Sequence, residues 1–206
     1  MYKLLIFDFD GVLVNSFEYV YAINQQAAAH VNKVLTREQY IKCFYGSFHK
    51  TLLAQLRLNP EEDASFTEYK YGIYEDLYRQ IELFDFAVKM IRSLSKKGIK
   101  MGIVSSAYER SIVEKITTYG IDTNFSFVAG MNKQGKKEKI QECIRLADVS
   151  LEESLFVTDT IGDIRDAREA GIASAAVVWG FHTEDKLNTV HPTHVIHTAE
   201  ELIALV

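Results

Sequence analysis

Three aspartates stand at the ends of apolar runs and a fourth just beyond, where a soluble chain rarely leaves carboxylates without a purpose. Asp8 and Asp10 flank Phe9 at the close of KLLIFDF, and Gly11 marks a turn directly after them. Asp159 ends the run SLFVTD, and Asp163 follows where a helical pattern begins. Ser105 and Ser106 close IKMGIVS, and the stretch GKKEKI offers Lys136 or Lys137. Crowded carboxylates repel one another and raise each other's pKa unless a cation sits among them. An all-oxygen ligand set suits Mg²⁺, which keeps several waters and shares a substrate phosphate. An aspartate nucleophile with a metal, a hydroxyl and an ammonium suits phosphoryl transfer through an aspartyl-phosphate.

A parallel sheet would bring these residues to one rim. The runs at 3–9, 99–105, 125–130, 154–159 and 174–180 read as strands buried on both faces. Helical patterns separate them. FAVKMIRSLSKKG and YERSIVEKITTYG stop at Gly98 and Gly120, as left-handed C-caps do. KKEKIQECIRLADV and DIRDAREAG behave the same way. Strand alternating with helix predicts an α/β fold with a Rossmann-like parallel sheet, whose ligands bind beyond the carboxyl ends of the strands. Residues 16–84 break the rhythm with helical periodicity and no convincing strand. The expected organisation is therefore a core of residues 1–15 and 85–206 with a helical cap of residues 16–84 inserted after the first strand.

Composition excludes several classes. The chain has 206 residues, 48% hydrophobic and 25% charged, as an ordinary globular protein has. A net charge of −5 advertises neither nucleic acid nor an anionic membrane as partner. No apolar stretch approaches the roughly 18 residues of a spanning helix, and Asp8 and Asp10 interrupt the N-terminal run. Cys43 and Cys143 have no metal-binding spacing and read as reduced, buried thiols. These features predict a cytoplasmic protein; with the phosphoryl chemistry above, the expected partner is a small phosphorylated metabolite and the expected state a monomer or weak homodimer.

Plainer readings compete for some residues. Asp8 and Asp10 as turn residues would be costly after a buried run. Asp163 suits the start of a helix, and Ser105 and Ser106 suit a turn. Lys136, Lys137 and Lys139 form a charge run of the kind that makes a solvated helix face, with one of the first two expected at the site. His191, His194 and His197 alternate around Val195 and Ile196 and read as surface residues, not ligands. Thr198 and Glu201 have the spacing of a capping box. Tyr69, Tyr71, Tyr74 and Tyr78 read as a helical packing stripe.

Taken together, the motifs resemble those of the haloacid dehalogenase superfamily of phosphohydrolases, in its subgroup with a helical cap after the first strand. Members akin to phosphoglycolate phosphatases and β-phosphoglucomutases are the nearest likeness. The stretch Asp8-Phe9-Asp10-Gly11-Val12-Leu13-Val14-Asn15-Ser16 matches the first motif, DxDGxLxxS. Ile103-Val104-Ser105-Ser106 matches the second, and Val157-Thr158-Asp159-Thr160-Ile161-Gly162-Asp163 the fourth. The resemblance implies Asp8 as nucleophile and Asp10 as general acid and then base. It implies that Asp8, the Asp10 carbonyl and Asp159 hold Mg²⁺, with Asp163 supporting the metal. Ser105 would bind a phosphoryl oxygen with Ser106 beside it, and Lys136 would neutralise charge at the nucleophile. His49 and Lys50 stand where relatives often place a basic residue that touches substrate. Three places depart from the pattern. Thr158 replaces a glycine, the stretch from Glu82 to Phe86 lacks the usual proline and glycine, and GKKEKI replaces a lysine-proline pair. The spacing before Asp159 favours Lys136, with Lys137 as rival. The expected activity is a Mg²⁺-dependent phosphatase acting on a small phosphomonoester. A phosphomutase of the same family and a non-catalytic phosphate-binding protein are the alternatives.

Overall fold

The run Leu4–Phe7 is β1, and all four of its residues are buried. The computed structural model describes residues 1–206. Beside β1 it forms β2 (Lys100–Val104), β3 (Phe127–Ala129), β4 (Ser154–Thr158), β5 (Ala173–Val177) and β6 (His194–Ile196). The strands make one six-stranded sheet in the order β3-β2-β1-β4-β5-β6. Every pairing is parallel, so the α/β Rossmann-like expectation is borne out. β6 is an element that periodicity missed: the three residues His194–Ile196 are too few to carry a pattern, and pairing with Ala175–Val177 makes them a strand.

The chain divides into two compact units, Met1–Asn15 with Leu83–Val206, and Ser16–Glu82. In the first unit Leu83 pairs antiparallel with Val14, and the Phe84 N–H donates to the Leu13 carbonyl at 3.0 Å. Backbone pairing thus sets the chain path where no proline or glycine does.

The second unit is helical. It contains α1 (Phe17–His30), α2 (Arg37–Cys43), α3 (Phe48–Leu56) and α4 (Pro60–Tyr78). Thr36 with Gln39 and Asn59 with Glu62 form capping boxes at α2 and α4, the latter with Pro60 in the first turn. Tyr40 is buried at the centre of an aromatic group, with ring centroids of Phe17, Tyr21, Phe44 and Phe48 between 5.2 and 5.8 Å away. The tyrosine stripe is only partly a packing surface. Tyr78 is buried and stacks on Tyr74, and Tyr69 stacks on His30, but Tyr71 falls out of phase and is exposed.

The remaining helices of the first unit are α5 (Ala87–Lys96), α6 (Glu109–Thr118), α7 (Lys136–Ala147), α8 (Ile161–Ala170), α9 (Glu184–Asn188) and α10 (Ala199–Ala204). Gly98, Gly120 and Gly171 end helices with positive φ, whereas α7 ends on a left-handed Asp148. Ile140, Cys143 and Ile144 of α7 and Ala167 of α8 pack on Leu4, Ile6 and Phe156 of the sheet. Each large aliphatic so buried contributes roughly 1.5–3 kcal/mol. At the C-terminus the capping box is half made. Thr198 accepts the Glu201 N–H, but the Glu201 carboxylate takes the His197 N–H instead. Both cysteines are free and buried.

Candidate active site

The strand order decides where a site can form. The chain runs outward from β1 through β2 to β3, then crosses back by α7 to β4 on the other side of β1. The crevice beyond the carboxyl ends of β1 and β4 is thus the topological switch point, where open α/β sheets bind ligands. Phe7 is in register with Val157, so Asp8 leaves the sheet beside Thr158 and Asp159. The Asp8 N–H still donates to the Val157 carbonyl at 2.9 Å.

Asp8 is buried, and its two oxygens are held differently. Oδ1 accepts the Phe9 N–H at 2.7 Å, and Oδ2 accepts from Lys136 Nζ at 2.7 Å. Lys136 Nζ also reaches Asp163 Oδ2 at 2.5 Å. Lys136 is the first residue of α7, a poor place for a cation in the field of the helix dipole. The two carboxylates offset that. Burial opposes the ammonium, but Asp163 and Asp8 outweigh it and raise its pKa well above the ordinary lysine value. Burial pushes the Asp8 carboxyl well above its usual range against the pull of Lys136, with Asp163 and Asp159 adding to the rise. Burial acts the same way on Asp163, but there Lys136 and the hydrogen bonds from Thr158 and its neighbours prevail and hold the carboxyl low.

Asp163 is not the cap of α8. Thr160 occupies that place and accepts the Asp163 N–H, which frees the Asp163 carboxylate for Lys136. Thr158, which departs from the family's glycine, has a partner here: its hydroxyl donates to Asp163 Oδ2 at 2.9 Å.

Asp159 is fully buried. Oδ2 accepts the Phe181 N–H at 2.7 Å, whereas Oδ1 has no partner. Burial raises this carboxyl to about 7. Two glycines make room for it. A Cβ on Gly11, whose φ is +75°, would lie 2.0 Å from Asp159 Oδ2, and one on Gly180 would lie 2.3 Å from the same oxygen. A buried carboxylate oxygen with no donor, in a cradle no side chain can enter, fits a cation. No three His, Cys, Asp or Glu side chains gather as a metal-holding group. An ion that takes one or two carboxylates, a carbonyl and water would fit beside Asp159 Oδ1.

Ser105 follows β2 and is buried, and its Oγ accepts the Ala107 N–H at 3.1 Å. No acceptor in the protein takes the hydroxyl proton, so it remains to be donated. Ser106 is exposed and Asp10 half-buried. Lys137 makes none of the contacts of Lys136; position 136 is the one brought to Asp8. His49 and Lys50 lie in the first turn of α3 in the helical unit, both exposed, with His49 Nε2 3.4 Å from Asp63.

Sequence reasoning missed two residues. Lys139, taken as part of a solvated charge run, is 3% exposed. It lies four positions before Cys143, on the same side of the helix, a signal that is readable. His182 is buried too: its ring Nδ1 accepts the Ile161 N–H at 3.0 Å and its backbone N–H donates to the Asp159 carbonyl at 3.3 Å. Nothing in its spacing announces this.

Comparison with known proteins agrees with the geometry. Residues 5–177 match the family model described as haloacid dehalogenase-like hydrolase. The chain is 26% identical to pyrophosphatase PpaX of Listeria monocytogenes serotype 4a, over 98% of this chain and 95% of that one. It is also 26% identical to phosphoglycolate phosphatase of Synechococcus elongatus, over 99% and 97%. Among solved structures, a haloacid dehalogenase-like hydrolase from Streptococcus pneumoniae superposes with a TM-score of 0.85 at 18% identity, covering 99% of this chain and 98% of that one. A hydrolase from Pseudomonas syringae superposes with a TM-score of 0.85 at 20% identity, over 98% and 97%. With a family match across most of its length and the fold shared throughout, the chain belongs to the haloacid dehalogenase-like hydrolases.

Proposed function

We propose that the protein is a Mg²⁺-dependent phosphatase that hydrolyses a small phosphomonoester by way of an aspartyl-phosphate. The observation that carries this is the Asp8–Lys136–Asp163 arrangement beside the half-unpartnered Asp159. It sets a nucleophile and a fixed ammonium next to a carboxylate that needs a cation. Asp8, Asp159 and the Asp10 carbonyl would hold Mg²⁺, with Asp163 behind them. When bound, the ion supplies charge neutralisation on the phosphoryl group.

The steps of the chain's own residues follow. An Asp8 oxygen attacks phosphorus and the ester P–O bond breaks. Asp10 gives its proton to the departing alkoxide, which leaves as the alcohol. Asp10 then takes a proton from water, the water oxygen attacks phosphorus, and the bond to Asp8 breaks to release inorganic phosphate. Lys136 and the Ser105 hydroxyl stabilise the negative charge on the phosphoryl oxygens. His49 and Lys50 of the helical unit are proposed to contribute to substrate choice.

The relatives named pyrophosphatase and phosphoglycolate phosphatase place pyrophosphate and 2-phosphoglycolate first among substrates to try. The test is phosphate release from these two and a panel of sugar phosphates, with and without Mg²⁺. Metal-dependent release from at least one phosphomonoester supports the reading, and release from pyrophosphate alone would make the enzyme a pyrophosphatase instead. Isomerisation of a sugar phosphate without release favours a phosphomutase, and binding without turnover favours a non-catalytic phosphate-binding protein.

A further inference from the structure

We propose that Lys139 is a positioning residue that holds the Ser105–Ser106 peptide as a cradle for a phosphoryl oxygen and strengthens the Ser106 N–H as a donor to it. This rests on the phosphotransfer reading of the same site.

Lys139 is 3% exposed, and its ammonium is spent on backbone. Nζ donates to the Ser105 carbonyl at 3.1 Å and to the Gly130 carbonyl at 2.6 Å. These carbonyls terminate β2 and β3 at the rim where Asp8 emerges. Burying an ammonium is costly, and well-packed apolar groups often replace buried charge without loss of stability. The two strand ends do not need it as a staple, because the Ser105 N–H already donates to the Ala129 carbonyl at 2.9 Å. The ammonium satisfies the Ser105 and Gly130 carbonyls, and through the first of them it also acts on the peptide that follows.

The Ser105 carbonyl belongs to the same peptide group as the Ser106 N–H. A charged donor on that oxygen draws electron density from the amide and makes the N–H a stronger donor, as in any polarised hydrogen-bond chain. No acceptor of the protein engages the Ser106 N–H, and Ser106 is exposed. Beside it the Ser105 hydroxyl proton is also unspent, since Oγ accepts from Ala107. Two donors thus stand at the end of β2, and the group behind them is a fixed cation. A phosphoryl dianion is the ligand chemistry they suit. Lys139 touches neither reacting atom nor ligand in this scheme; it acts through the peptide.

The experiment compares wild type with Lys139→Met, which keeps the stem and removes the donors, in the presence of Mg²⁺. Titration with inorganic phosphate is followed at the Ser106 amide by ¹H–¹⁵N correlation, alongside KM and kcat for p-nitrophenyl phosphate. In wild type, phosphate moves the Ser106 amide proton downfield. In Lys139→Met that proton starts upfield, the Kd for phosphate weakens at least tenfold, and KM rises in step while kcat changes less than threefold. A variant that melts earlier but keeps Kd and KM within twofold overturns the proposal and leaves Lys139 a structural residue. Should Lys139→Met fail to fold, the wild type still decides: a Ser106 amide that does not respond to bound phosphate overturns the proposal. A wild type that neither binds phosphate nor releases it from any phosphomonoester overturns the phosphotransfer reading itself.

Discussion

Lys136 Nζ lies 2.7 Å from Asp8 Oδ2, although 128 positions of chain separate the two residues. The pair is buried, and the same ammonium bridges to Asp163. Removing it leaves two buried carboxylates facing one another, which typically costs about 3–5 kcal/mol. Lys136→Met is expected to lower the rate of phosphate release by about two or more orders of magnitude. Lys137→Ala, one position along the same helix, should cost less than about tenfold. Steady-state rates of the two variants check this, and a more damaged Lys137→Ala would move the assignment by one residue.

Asp8→Asn tests the nucleophile. Asparagine keeps an oxygen to accept the Phe9 N–H but loses the charge that attacks phosphorus. A rate loss of at least ~10³-fold with an unchanged circular dichroism spectrum is expected. Turnover within tenfold of wild type would remove Asp8 from that role.

Asp159 Oδ1 is buried with no partner, so a cation bound there should stabilise the fold by mass action. At a Mg²⁺ concentration of 100 times Kd the gain is about 2.7 kcal/mol. Mg²⁺ should therefore raise the melting temperature of wild type but not of Asp159→Asn. A chelator should abolish phosphate release and Mg²⁺ restore it, with Ca²⁺ a poor substitute because its coordination is looser. Full activity in excess chelator would exclude a metal role.

The glycine cradle gives a steric prediction. An alanine Cβ at Gly180 would sit 2.3 Å from Asp159 Cβ and Oδ2, so Asp159 must move. Gly180→Ala is expected to lose at least about tenfold in rate, the scale on which misplaced site groups act. Gly72, inside α4, has nothing within 4 Å of its missing Cβ. Gly72→Ala should leave the rate alone and stabilise the fold by about 0.5–1 kcal/mol. Thermal melts and rates of the two variants separate the cases.

His197 carries the pH prediction. Its Nε2 lies 3.1 Å from Glu184, and that hydrogen bond raises the imidazole pKa above 6.5, with Glu201 adding to it. The folded state then holds the proton more tightly than the unfolded one. The contribution is present below the unfolded pKa and is lost as pH rises through the folded value. An NMR titration of the ring should show a midpoint above 6.5, and Glu184→Gln should bring it down. A midpoint that Glu184→Gln leaves in place would break the link.

Local chemistry made much of this protein legible in its residues alone. Short apolar runs rich in β-formers read as inner strands of a parallel sheet, and the helical patterns between them set the α/β class. Asp8, Asp10 and Asp159 stood out because carboxylates at the ends of such runs are costly without partners, and Asp163 because it follows one of them at the start of a helix. Gly98, Gly120 and Gly171 end their helices in the left-handed conformation that their lack of a Cβ permits. Tertiary structure decided what depends on contacts between distant segments. β6 exists because Ala175–Val177 offers it a partner, not because HVI has a period. Thr158 looked like a bare departure from a glycine until Asp163 came within reach of its hydroxyl. Lys136 and Lys139 belong to one charge run, yet one pairs with carboxylates and the other with carbonyls. His182 closes the Asp159 loop only because the chain returns there after β5. Propensity and periodicity are properties of neighbours in sequence, whereas a buried charge takes its role from whatever the fold puts opposite it.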